Sequence, residues 1–235
     1  MISIIAHTGV IPTAANATAN TTSAIDTTGA NKIFVGVGNL FAAVDASNIA
    51  LTDSKGNTFN FIGAGSGGST LQCGMYECDN PIVGSGHTFT ATEKASGGYP
   101  SVFVIAVSGA DTTSAYDQQH GNASSSSATI QPGSTTPTVN NEILVTFLSC
   151  STPSSMSIDS GFTITDNLPY TTGTAVSGAM AYLIQTTATT SNPTWTQSPA
   201  NLIAAFIASF KSAAVAWGWM QQQENPRDRI EIIGY

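Results

Sequence analysis

Apolar residues in this chain come in short runs and alternations, and no helical spacing appears before residue 211. Residues 31–40 form a continuous β-branched and apolar run, the pattern of a strand buried on both faces. Residues 101–108, 141–148 and 201–210 read the same way, whereas residues 87–92 and 162–165 alternate Thr with apolar residues, as half-exposed strands do. Leu71–Glu77, residues 176–185 and Thr194–Thr196 complete the set. Ile49–Thr52 and Thr58–Ile62 flank Asp53-Ser54-Lys55-Gly56-Asn57, and the turn chemistry of that segment predicts a hairpin. Residues 63–69 read as a glycine loop and 81–86 as a turn. The first 30 residues, with Ile2 and Ile4 alternating, read as an edge strand or an arm.

The pattern is written twice. Asn31–Gly38 has a partner in Asn141–Leu148, displaced by 141 − 31 = 110 positions. Cys73-Gly74-Met75-Tyr76 is echoed by Gly178–Tyr182, and Ser101–Ser108 by Asn201–Ser209. Strand spacing of this kind, punctuated by Gly, Pro, Asn and Asp, predicts an all-β chain: a two-sheet antiparallel, jelly-roll-like sandwich. Its pseudo-repeated halves cover about 31–109 and 141–210, joined by a Ser/Gly linker from Gly109 to Pro137. About five strands per half favour pairing the halves into one body, residues 1–211, because that removes free edges. A C-terminal extension, residues 212–235, follows.

Composition narrows the function. Charged residues are 9% of the 235, and net charge is −8 with only six Lys and Arg. A phosphate grip needs clustered bases, so nucleic acid is not an expected partner, and a polybasic membrane footprint is missing too. The polar surface must be built from Ser, Thr, Asn and Gln, as expected of a coat or extracellular module. The start of the chain has no basic leader followed by an apolar run, so no signal peptide is expected. No stretch reaches transmembrane length. Cys73, Cys78 and Cys150 are an odd number. The first two lie five apart on a strand and so face opposite ways, which predicts buried free thiols.

Catalytic and cofactor patterns are weak. His7, His87 and His120 lack zinc-like spacing. The Gly63–Ser69 loop lacks a nucleophile elbow. Glu77, Asp79, Glu93 and Glu142 offer no reason to pair any two. Asp53 with Asn57, or Asp111 with Asp117, has oxygen ligands for calcium but not an EF-hand rhythm, and turn formation explains them more simply. We therefore expect no enzyme and no cofactor. Glycan binding needs an aromatic platform near turns, and Tyr99, Tyr116, Tyr170 and Trp195 are the candidates, against a plain packing role at strand ends.

The extension departs from the body. It holds Trp217 and Trp219, both arginines (Arg227, Arg229), and Met220, Ile230, Ile232, Ile233 and Tyr235. Its apolar side chains, buried on a neighbour, would each contribute roughly 1.5–3 kcal/mol. That sums to about 10 kcal/mol, comparable with the ~4–15 kcal/mol lost on association. One tail alone is a marginal binder, and an array of them holds by multivalency. Folding back on its own body is the alternative.

Asp53–Phe59, Asn80-Pro81-Ile82-Val83-Gly84-Ser85-Gly86-His87-Thr88-Phe89-Thr90 and Ser108-Gly109-Ala110-Asp111-Thr112-Thr113 resemble β-sandwich structural proteins of tailed-bacteriophage particles. The resemblance spans roughly residues 20–210, rests on turns, and leaves the extension outside it. It implies a non-enzymatic virion part, a capsid-decorating subunit or a tail or fibre component. Such a part would form homo-oligomers, contact other virion proteins, and be assembled in the host cytoplasm before release. The alternative is a carbohydrate-binding module of an adhesin.

Overall fold

The computed structural model of the chain describes residues 1–13, 18–65, 70–94, 97–174 and 176–214. Among them the secondary structure is all β and antiparallel. The first half contains β1 (Ser3–Val10), β2 (Ala19–Thr21), β3 (Lys32–Leu40), β4 (Ile49–Asp53), β5 (Asn60–Gly65), β6 (Leu71–Asp79), β7 (Phe89–Glu93) and β8 (Ser101–Ser108). A five-stranded sheet runs β1-β8-β3-β6-β5, and a three-stranded sheet β2-β7-β4 lies across it. This interleaving of early and late strands is jelly-roll order. Ile33, Val35, Val37, Val102, Val104, Ala106 and Tyr76 of the large sheet face Ile49, Phe89 and Ala91 of the small one, which gives this half its own core.

The second half repeats the plan with longer strands: β9 (Tyr116–Ile130), β10 (Glu142–Cys150), β11 (Ser155–Ile158), β12 (Thr163–Leu168), β13 (Ser177–Gln185) and β14 (Trp195–Phe210). Strand β14 serves as both β7 and β8, since its first residues pair with β11 and its later ones with β10. Strand β9 likewise serves as β1 and β2, pairing Gln118 with Ser209 near one end and Ile130 with Trp195 at the other. Leu144, Leu148, Ala179, Ala181, Ile203, Ala205 and Ile207 pack beneath Trp195, Met156 and Phe162 in a second core.

The two large sheets then pack face to face. Phe34 lies 4.3 Å from Phe210, and Phe103 lies 5.2 Å from Phe147, ring centre to ring centre. Met75, Met180, Phe206 and Ile105 fill the rest of this third core. Close approach depends on glycine: a Cβ on Gly36 would stand 2.6 Å from the Phe147 ring, and one on Gly178 2.8 Å from that of Phe103. Each buried Phe contributes about 1.5–3 kcal/mol, so the halves are held together by of order 10 kcal/mol. The layers also meet along both sides. His7 of β1 reaches Asp166 of β12 at 2.9 Å, and Gly65 of β5 lies against Gly121 of β9. The edges of the large sheets are thereby covered.

The all-β sandwich class stands, with repeated halves. Each half encloses its own core, and the two large sheets enclose a third between them. Some local expectations fail, and Gly63–Gly65 of the expected glycine loop are the end of β5. Strands β4 and β5 do not form a hairpin: β4 pairs with β7 and β5 with β6, because Asp53 turns the chain from the small sheet to the large one. Most of the expected linker is strand β9, whose pairing with β14 is carried by the backbone. Ser212 pairs with Ala110, and the Ala213 N–H reaches the Gly109 carbonyl at 2.9 Å, so the first residues of the extension belong to the body.

Candidate functional site

The densest polar constellation grows from the turn after β4. Asp53 ends β4, and its Oδ1 accepts the backbone N–H groups of Lys55, Gly56 and Asn57 at 3.1, 2.7 and 2.9 Å. Its Oδ2 accepts the Asn57 amide at 2.6 Å and meets His87 Nε2 at 2.8 Å. His87 Nδ1 in turn meets the Thr27 hydroxyl at 2.9 Å, and the Gly84 N–H donates to that hydroxyl at 3.1 Å. The His87 ring stacks on Phe89 at 4.2 Å. Burial alone would raise the Asp53 carboxyl. The bonds from Asn57 and His87 outweigh it and hold the acid below its usual range.

Hydroxyl, imidazole and carboxylate stand in the order of a nucleophile, base and orienting acid. All three side chains are shut in, however: Thr27 and His87 have no exposure, and neither does the Asp53 side chain. Nothing can bring a substrate to Thr27, so the relay acts as a clamp tying β4, the residue-27 turn and the start of β7 together. Asp53 with Asn57 is turn chemistry, and Asp111 likewise caps its own turn through Thr113 and Ser114.

Two further polar clusters stand out. Lys32 is fully buried between Glu77 and Asp79, 2.5 Å from an oxygen of each. On the outer face of the second half, Asp117 accepts the Thr138 N–H and hydroxyl at 2.7 and 2.8 Å and faces Lys211 Nζ at 3.6 Å. Burial pushes the neighbouring Glu142 above the usual carboxyl range, Asp117 adds to that rise, and Ser209 and the Val139 N–H oppose it. Among the described residues no group of three or more His, Cys, Asp or Glu could hold a metal ion.

The aromatic candidates do not gather. Trp195 is wholly buried and donates its Nε1–H to Thr146 at 3.0 Å, so its ring offers no face to a sugar. Tyr116 on β9 and Tyr170 in the loop after β12 are partly exposed, and Tyr99 packs edge-on against Phe41. An open groove of about 500 Å³ lies elsewhere, lined by Ser160, Leu183, Gln185, Thr187, Thr190 and Asn192 among others. The extension candidates Trp217, Trp219, Met220, Arg227, Arg229, Ile230, Ile232, Ile233 and Tyr235 lie outside the described residues. Family models, curated proteins and solved structures contain no match to this chain.

Sequence reasoning saw Asp53 and His87 separately and did not join them, and it passed over Thr27 and Lys32. The Lys32 cluster had a readable signal: a lysine heads one apolar run, Lys32–Leu40, and two acids close another, Leu71–Asp79. Pairing those runs antiparallel brings the charges together.

Proposed function

We propose that this chain is a non-enzymatic structural subunit of a bacteriophage particle, of the capsid-decorating kind, which engages neighbouring virion proteins through its C-terminal segment. One observation carries the reading: most of the side chains able to do chemistry are buried. The Thr27–His87–Asp53 relay, Lys32, Glu142 and the three thiols all lie inside the body. Two sandwiches fused through a third core make a rigid block suited to a load. The turn resemblance to phage proteins and the composition of the extension support the same reading. The test is a mass-spectrometric inventory of purified particles with copy number, beside a deletion of residues 215–235 that spares the Ser212–Ala110 pair. Loss of incorporation on deletion is expected, and unchanged incorporation would reject the anchor.

A second reading, a carbohydrate-binding module, is favoured by the hydroxyl- and amide-lined groove, where the Gln185 Oε1 has no hydrogen-bond partner. Glycan-array binding that is lost on Gln185→Ala would select it.

A further inference from the structure

The Lys32 cluster holds a pairing that the fold does not require. Among the described residues Lys32 is the one lysine with no solvent exposure. Its Nζ lies 5.7 Å from the centre of the Phe34 ring and 5.2 Å from that of Phe210, inside the core between the two halves. It touches Asp79 Oδ1 and Glu77 Oε2 at 2.5 Å each, closer than the 2.7–2.9 Å of an ordinary charge-assisted bond. Lys32 and Asp79 are direct cross-strand partners on β3 and β6. The second half closes the same core differently. Matching Met75 to Met180 places Tyr182 and Ile184 where Glu77 and Asp79 stand, and Ile143 faces the core at the head of β10. An apolar solution is therefore available to this architecture, and apolar replacements for buried ion pairs are often neutral or stabilising.

We propose that Lys32 and Asp79 become joined by an amide bond between their side chains. With the ammonium end fully buried, an ammonium–carboxylate pair and its proton-exchanged neutral form approach each other in energy. The amine nitrogen attacks Cγ of Asp79, so that an N–C bond forms and one C–O bond breaks. Glu77, the more buried acid with 13% side-chain exposure, accepts the proton shed by the nitrogen and returns it to the departing oxygen. Ammonium plus carboxylate gives amide plus one water, with no net proton and no oxidant or reductant. Asp79, at 31% exposure, gives that water a way out. Direct cross-strand geometry lets the link form without moving either strand. It staples β3 to β6 in a chain whose thiols form no disulfide among the described residues.

Intact-mass measurement of the full chain, followed by tandem mass spectrometry of a tryptic digest, tests this. The expected result is a mass one water below the sequence mass, with Lys32 uncleaved and its peptide linked to the one containing Asp79. Lys32→Met and Glu77→Gln should each restore the full mass. Glu77→Gln retains both reacting groups, and its circular dichroism spectrum should match that of the natural chain. A full mass in the natural protein overturns the proposal. So does a water lost as a succinimide at Asp79, which leaves Lys32 cleavable. A link to Glu77 in place of Asp79, or one that persists in Glu77→Gln, overturns the assigned roles.

Discussion

Replacing Asp53 with Asn tests whether the buried relay is a clamp. The change keeps the shape of the side chain and removes its charge. In the native protein the two carboxylate oxygens accept five hydrogen bonds, from three backbone N–H groups, the Asn57 amide and His87. An amide in that place offers one acceptor and turns an NH2 toward groups that themselves donate. At least one buried donor is left unmatched, at about 1–3 kcal/mol. Hydrogen bonds to a charged acceptor are worth about 1.5–3 kcal/mol, so Asp53→Asn should cost about 2–3 kcal/mol. Urea unfolding followed by intrinsic fluorescence should show a lower midpoint at unchanged slope. With native stabilities of about 5–15 kcal/mol, the variant still folds, whereas Asp53→Ala lies closer to the limit. A loss below about 1 kcal/mol, the worth of an exposed pair, would refute the clamp. The sign of the pH dependence is also fixed. The Asp53 carboxyl is held below its usual range in the folded state, so its stabilisation is complete above about pH 4 and disappears as pH falls through the folded value. The Asp53→Asn variant should lack that part of the acid sensitivity.

Other consequences follow from single contacts. Glu142 is raised above the ordinary carboxyl range, so its contribution is present at low pH and lost as pH rises through its folded value; Glu142→Gln should be neutral or stabilising at pH 7 by thermal unfolding. Gly36→Ala drives a Cβ to 2.6 Å from the Phe147 ring and should cost about 1–3 kcal/mol by overpacking, read by chemical denaturation. Burial pushes Cys73 up to about 12 and Cys78 up to about 11, and raises Cys150 well above the usual thiol range. A thiol reagent at pH 8 should therefore label none of the three in the native chain and all three after denaturation. Because the third core spans both halves, calorimetry should show one cooperative transition, and two separated transitions would contradict it.

The strands were legible in the sequence where both faces are buried. Residues 31–40, 71–77, 101–108, 141–148 and 201–210 are apolar on both faces because each large sheet lies between two cores, and a continuous apolar run is the direct record of that. Strand β9 was illegible for the complementary reason. It lies on the edge of its sheet, with Gln, Ser and His side chains half-buried or exposed and its cohesion in backbone bonds to β14, which leave no trace in residue type. The β4–β5 hairpin was misread because Asp53–Asn57 is turn chemistry in either case. What decides the exit direction is the bond of Asp53 to His87, 34 residues away. The same distance in sequence hid the clamp as a unit.

The repeat itself carries a finer lesson about register. Matching Asn31–Gly38 to Asn141–Leu148 at 110 positions aligns run with run, yet Phe34 faces the core between the halves while Leu144 faces the core inside the second half. The echo of Met75 in Met180 is in phase, and both face the shared core. Side chains alternate with period two, so a one-residue offset exchanges the faces of a strand. A strand apolar on both faces tolerates the exchange, which is why β3 and β10 could diverge by one position without loss of either core. Charged positions do not tolerate it. Sliding β3 by one residue would carry Lys32 away from Glu77 and Asp79 and into the first half's own core, where the facing residues are apolar. The buried lysine therefore fixes the register of β3 against β6, a role that follows from geometry whether or not the amide forms. Lys32→Met is thus expected to restore the full mass and also to relax that register, which amide exchange protection along residues 32–40 would report.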